Sequence, residues 1–157
     1  MLKYLAFFCL IIVGTSLKAG PTAICDQVCG KWYAPENNLV IQIYKDGDEF
    51  KAKIVSFKCD HPGETPETCV DINNPDPTLR TRKVVGMNVV SDLKFNTDTK
   101  TWEGGTIYDS HNGRYWSASA AMDNDGSLKV KGYWHFKFIG KTMVFKRMID
   151  ANELAKK

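Results

Sequence analysis

From residue 30 to residue 148 apolar side chains recur at alternate positions in short runs, and each run ends within a few residues at a cluster of Gly, Asp, Asn or Pro. That two-residue period belongs to a sheet with one buried face, because successive side chains on a strand point to opposite sides. Leu39, Ile41 and Ile43 share one face ahead of the Asp46-Gly47 turn. Phe50, Ala52 and Ile54 share one face while Lys51 and Lys53 take the other. The spacing predicts eight strands, over residues 30–33, 39–44, 50–57, 83–95, 101–108, 114–122, 127–136 and 141–148. In the fourth, Val85, Met87, Val89 and Leu93 fall on one face, and the sixth and seventh are separated by the turn Asp123-Asn124-Asp125-Gly126. Only residues 149–157 carry helical spacing, and a short C-terminal helix is expected there.

Strands joined mostly by short turns favour an all-β, antiparallel up-and-down barrel, since closure removes the unpaired edges that an open sheet leaves exposed. A β-sandwich is the alternative. Gly104-Gly105 inside a strand marks an expected bulge or bend. One connection is long, residues 59–82, and loops of that length are functional or pinned by cross-links.

Ahead of the barrel, Met1, Leu2 and Lys3 precede an apolar block at residues 5–13 and then small and polar residues at 14–19, the order of a cleaved secretory leader. Crossing a bilayer takes about 20 apolar residues, roughly twice this block. The expectation is therefore removal of residues 1–19 with cleavage near Ala19. A single domain over residues 20–157 would remain, periplasmic or secreted, with no transmembrane segment. Cys25 follows Ile24 and Cys9 lies within the apolar block, so neither has the small preceding residue a lipoprotein anchor needs. Lys3 and Lys18 leave with the leader, which brings the 21 basic residues close to balance with the 18 acidic ones. Charges so balanced and interspersed exclude a nucleic-acid binder.

Of the 5 cysteines, Cys9 also leaves with the leader, and the even number remaining in an exported chain points to disulfides. Cys59 and Cys69 bracket His61, Pro62, Gly63 and Pro66, a segment too turn-rich for a strand, and are expected to pair across it. Cys25 and Cys29 then pair by elimination. The competing reading is a four-cysteine zinc site, but these spacings match no common knuckle.

Five ordered blocks carry a resemblance. They are Gly30-Lys31-Trp32; Asp71 with Asn74-Pro75-Asp76, Leu79-Arg80-Thr81-Arg82 and Val85-Gly86-Met87; Trp102-Glu103-Gly104-Gly105-Thr106-Ile107-Tyr108-Asp109 with Asn112-Gly113-Arg114-Tyr115; Leu128-Lys129-Val130-Lys131-Gly132-Tyr133; and Lys146-Arg147. In this order the chain resembles the bacterial exported family catalogued as domain of unknown function 2147. The resemblance implies export and a compact β-fold, and brings no activity or cysteine pairing with it. The family often has proline where this chain has Ser110, which loosens the expected turn. At fold level the chain also resembles lipocalins and related calycin barrels, which begin with Gly-x-Trp and keep an arginine near the end of the last strand. Gly30, Trp32 and Arg147 match those positions, implying a cation–π contact at the closed end of a lipocalin-like barrel.

Three constellations carry the functional candidates. Asp71, Asn73, Asn74, Asp76, Arg80 and Arg82 sit beside Pro75 and Pro77, which reads first as a structured turn, second as an anion or polar-ligand site and third as a calcium loop. Glu103 and Asp109, with Arg80, form the one carboxylate set on which a hydrolase could be built. No nucleophile motif accompanies them, and His61, His111 and His135 lack zincin spacing, so neither catalysis nor a metal is expected. Trp102, Trp116 and Trp134, with Tyr115 and Tyr133, either line a cavity floored by the small residues 117–121 or fill the core. The expectation drawn is a non-enzymatic envelope barrel, without cofactor, for a small hydrophobic or amphipathic molecule. Its candidate ligand contacts are Trp32, Arg80, Arg82, Trp102, Tyr108, Tyr115, Trp116, Trp134 and Arg147. The alternatives are a protein partner docking on residues 59–82 and a hydrolase using Glu103 and Asp109.

Overall fold

The computed structural model describes residues 23–59 and 63–149, and in it eight antiparallel strands close into a barrel in sequence order. They are β1 (Gly30–Ala34), β2 (Leu39–Asp46), β3 (Glu49–Ser56), β4 (Asn88–Asn96), β5 (Thr101–Asp109), β6 (Arg114–Met122), β7 (Leu128–Tyr133) and β8 (Gly140–Met148). Each pairs with the next, and β8 closes on β1 with Arg147 opposite Trp32. The expected leader, Cys9 and His61 lie outside the described residues. So does the expected C-terminal helix apart from Ile149, to which no helix is assigned.

The period-two pattern placed every strand, and the structure departs from it where the backbone leaves regular extension. The fourth strand begins at Asn88 rather than residue 83, because Val84 and Met87 belong to a turn bonded to β3. There the Gly86 N–H donates to Ile54 O at 2.8 Å, and the Ile54 N–H donates to Met87 O at 3.0 Å. Within β4, Asp92 takes φ +61°, and the register slips between Ala52↔Val90 and Phe50↔Leu93. Val90 and Leu93, three positions apart, are therefore both buried where strict alternation had chosen Val89 and Leu93. The expected bulge at Gly104-Gly105 is present, with Gly104 at φ +73° and a register shift between Trp102 and Gly105. The seventh strand stops at Tyr133, and residues 134–139 form a wide turn instead of extending it.

The barrel has two different ends. At the floor, a 3-10 turn at Ile24–Val28 plugs the opening. The indole of Trp32 donates to Val28 O at 2.8 Å, and that of Trp102 donates to Cys25 O at 3.1 Å. Arg147 lays its guanidinium 4.3 Å from the centre of the Trp32 ring and donates to Cys29 O at 3.0 Å and to Gln27 O. Above this plug Trp32, Trp102, Phe50 and Leu128 are fully buried, and Ala120 sits directly opposite Trp102. The small residues of β6 thus make room for large neighbours, and the interior is a packed core. At the opposite rim lie residues 35–38, the long connection 57–87, residues 110–113 and residues 134–139.

Candidate functional site

Two concavities adjoin at the rim. One, of about 340 Å³, is lined by Thr106, Tyr115, Trp116, Ser117, Tyr133, Trp134 and His135; a second, of about 600 Å³, adjoins it along Arg114, Tyr115, Trp116 and Trp134. Register explains the lining. Ala118 is paired with Gly105 and Gly132 and fully buried, so the next row, Thr106, Ser117 and Tyr133, faces outward. Trp116, two positions from Ala118 and opposite Ile107, belongs to the inner face, so the cleft crosses the rim between outward Thr106, Ser117 and Tyr133 and the two tryptophans at the barrel mouth. Trp116 and Trp134 meet edge to face at 5.9 Å, and Trp134 meets His135 at 5.1 Å.

The wall over this cleft is the β7–β8 turn, which reaches across β6. Its Lys137 forms an ion pair with Glu103 of β5 at 2.6 Å. That ammonium, followed by the Thr101 hydroxyl, holds the Glu103 carboxyl below its ordinary range. Asp109, the other carboxylate of the hydrolase reading, accepts from the His111 N–H at 3.0 Å and the Asn112 amide at 2.8 Å, forming the β5–β6 turn. Each carboxylate thus has a structural occupation of its own, and among the described residues no group of acids, histidines and cysteines could hold a metal.

The Asp71 to Arg82 segment folds as the structured turn read first from its composition. Asp71 is fully buried beneath the long connection, where its Oδ1 accepts from the Tyr108 hydroxyl at 2.7 Å. Its Oδ2 accepts from the Asn74 amide at 2.6 Å and from Arg82 Nε at 3.0 Å. The Arg82 guanidinium also lies 5.4 Å from the centre of the Tyr108 ring. Arg80 donates to Asn74 O at 2.8 Å, and the Asn73 amide donates to His111 O at 2.8 Å. Burial, then the neighbouring Asp71 carboxylate, pushes the Tyr108 hydroxyl up to about 12. With the Asp71 carboxylate engaged by side chains of this loop and of β5, Arg80, Arg82 and Tyr108 brace the fold. Tyr115 meets Tyr108 at 4.8 Å with the rings tilted by 42°, and joins this brace to the cleft.

The nine candidate contacts therefore separate. Trp32, Trp102 and Arg147 build the sealed floor; Arg80, Arg82 and Tyr108 build the loop brace; Tyr115, Trp116 and Trp134 line the open cleft. Tyr133, weighed from sequence as a cavity wall, lines it as well, and so do Arg114 and His135, which were not among the expected ligand contacts. Alternation from Ala118 places Tyr115 and Ser117 outward, but bringing Tyr133 and Thr106 beside them depends on inter-strand register, which no single strand encodes. Among the described residues no two cysteines are bridged in this structure. Cys59 and Cys69 face each other at 3.0 Å between sulfurs, and that contact, with burial, pushes the Cys69 thiol up to about 12. Burial also raises the Cys29 thiol beside the floor plug.

A closed, up-and-down barrel of eight strands with Arg147 over Trp32 at a plugged floor is a lipocalin-like fold. Protein HP1028 from Helicobacter pylori, which belongs to the lipocalin family, is similar at a TM-score of 0.67 and 23% identity, over 82% of this chain and 87% of that one. At that identity the likeness is one of fold. Residues 30–147 match the family described as uncharacterized protein conserved in bacteria, DUF2147, and the chain belongs to that family. No curated protein matches the chain.

Proposed function

We propose that the protein is an exported, non-catalytic barrel that holds a small amphipathic molecule at its rim, between β6 and the β7–β8 turn. The observation that carries this reading is the pairing of a filled interior with an open cleft walled by Tyr115, Trp116 and Trp134. Aromatic faces supply apolar area for the body of the guest, and Arg114 at the border supplies a partner for a carboxylate or other anionic head. The lipocalin-like fold supports a small-ligand role at the level of architecture.

Titrating the protein with fatty acids of increasing length, and with the matching alcohols, tests it through tryptophan emission. Trp134→Ala is expected to weaken binding about tenfold, equivalent to about 1.4 kcal/mol. Arg114→Ala is expected to weaken the acids more than the alcohols. A flat response from the wild-type protein across fatty acids, lipids and glycans would sink the reading.

Export rests on the leader-like residues 1–19, and a mature protein beginning near residue 20, read by mass spectrometry of the periplasmic and secreted fractions, is the expected outcome. In that oxidising setting we infer a bridge between Cys59 and Cys69, a reading supported by the 3.0 Å between their sulfurs, and a second between Cys25 and Cys29 by elimination. Thiol titration of the exported protein should then find no free sulfhydryl. One observation favours a protein partner as a second reading: the braced connection presents Ile72 and Leu79 to solvent. Ile72→Asp is expected to abolish capture of such a partner from envelope extracts while leaving the fold intact, and unchanged capture would remove that reading.

A further inference from the structure

The β7–β8 turn carries more apolar surface than the cleft uses. Phe136, Phe138 and Ile139 are 58%, 79% and 56% exposed, and the two phenylalanine rings stack at 5.4 Å on the tip. Nothing in the barrel covers them, although the turn satisfies part of its own backbone. The Phe136 N–H donates to Trp134 O at 2.7 Å, and the Ile139 N–H donates to Phe136 O at 3.0 Å.

The strands around this tip are charged in one sense only. Going round the barrel through β6, β7, β8 and β1, the sequence carries Arg114, Lys129, Lys131, Lys141, Lys146 and Lys31, besides Arg147 in the floor, and no Asp or Glu. Of the other four, β2, β3 and β4 mix both signs, with Asp46, Glu49 and Asp92 among their lysines, and β5 carries only the carboxylates Glu103 and Asp109. The carboxylates in and beside this half lie in its turns or on β5: Glu103 pairs with Lys137, Asp123 pairs with Lys129, Asp125 accepts from the Ser127 N–H, Asp109 holds the β5–β6 turn, and Glu36 sits between β1 and β2. A chain whose total charge is near balance has thus gathered its cationic excess on the side of the barrel that bears the aromatic tip.

We propose that this half of the barrel docks on the surface of a lipid bilayer containing anionic headgroups, with Phe136, Phe138 and Ile139 inserted at the headgroup boundary. A membrane interface offers an extended negative plane with apolar chains directly beneath it. That arrangement complements a field of cations spread over four strands with one projecting apolar tip. Tip residues whose amides are partly satisfied within the turn can enter the boundary with fewer backbone groups to desolvate. The association proposed is peripheral, because the strands of this half carry lysines outward rather than a continuous apolar band.

Co-sedimentation of the full chain with vesicles of phosphatidylglycerol and phosphatidylcholine, against phosphatidylcholine alone, tests the proposal. The expected result is saturable binding to the anionic vesicles that falls at least tenfold on the neutral ones and falls again with added salt. Phe136→Ser with Phe138→Ser should reduce partitioning at least tenfold. Lys141→Glu with Lys146→Glu should do so at low salt, and Ile72→Ser, elsewhere on the surface, should not. Because these side chains are exposed, all variants should unfold at the wild-type temperature. The double serine variant should still bind a soluble fatty acid below its aggregation concentration without vesicles, so loss of vesicle binding and loss of the rim cleft are read separately. No wild-type binding to anionic vesicles, or wild-type partitioning by the double serine variant, would overturn the proposal. A dimer in light scattering that the double serine variant dissolves, with no vesicle binding, would assign the tip to a second copy of this chain and overturn it equally.

Discussion

Gly105 shows how finely the interior is set. A Cβ added there would lie 2.6 Å from Leu93 Cγ and 2.8 Å from the Ser91 carbonyl oxygen, so Gly105→Ala forces β4 and β5 apart. A loss of about 1 to 3 kcal/mol is expected, as for other overpacked cores, visible as a lower urea midpoint at unchanged slope. Tyr108 gives a pH signature. Its hydroxyl titrates near 12 in the folded protein against 10 ordinarily, so above pH 10 the unfolded chain releases this proton while the folded one retains it. Its contribution to stability is thus complete below pH 10 and is lost as the pH rises towards 12. Tyr108→Phe removes this dependence, and its stability should fall less steeply over that window. The same variant leaves Asp71 Oδ1 without its partner, costing about 1 to 3 kcal/mol at neutral pH. Sequence composition made the Asp71 segment legible as a turn, because Asn, Asp and Pro carry local hydrogen-bonding and φ preferences in themselves. Its contact with Tyr108, 37 positions away, was not legible, since nothing local specifies which strand a loop will cover.

The strands were readable because one buried face imposes alternation, and the errors fall where an element obeys a neighbour instead. Asp92 at φ +61° and Gly86 at φ +86° move the fourth strand's start and face, and both are consequences of pairing with β3. The floor plug was missed as an element: five residues of 3-10 turn have no periodicity to detect, though Trp32 and Arg147 were already placed together by resemblance. That plug depends on a planar fork donating to two carbonyls while covering an indole. Arg147→Lys keeps the charge and loses the fork, and a cost of about 1 to 3 kcal/mol is expected. Proteolytic nicking should then rise around residues 24–29, which limited digestion and mass spectrometry would locate. At the other end, a Cβ at Gly113 would lie 2.0 Å from Asn73 O, so Gly113→Ala should lift the 71–82 loop from the β5–β6 turn. Hydrogen exchange should quicken in that loop and hold its rate in β1, β2 and β8.

The molecule as a whole divides into a sealed floor, a packed core and a rim that carries its open surfaces, and the 4 tryptophans report the division. Trp32 and Trp102 are locked in the floor, and Trp116 and Trp134 stand at the cleft. A sequence containing tryptophans, small residues and a barrel pattern allowed either a hollow or a filled interior, because volume balance is a property of the closed sheet and not of any strand. The direct measurement is tryptophan emission during fatty-acid titration, repeated on Trp32→Phe, Trp102→Phe, Trp116→Phe and Trp134→Phe. The ligand-induced change should persist in the two floor variants and disappear stepwise in the two rim variants. If it vanishes with Trp32 or Trp102 and survives at the rim, the guest sits inside the barrel, and a filled interior with a cleft outside it is contradicted.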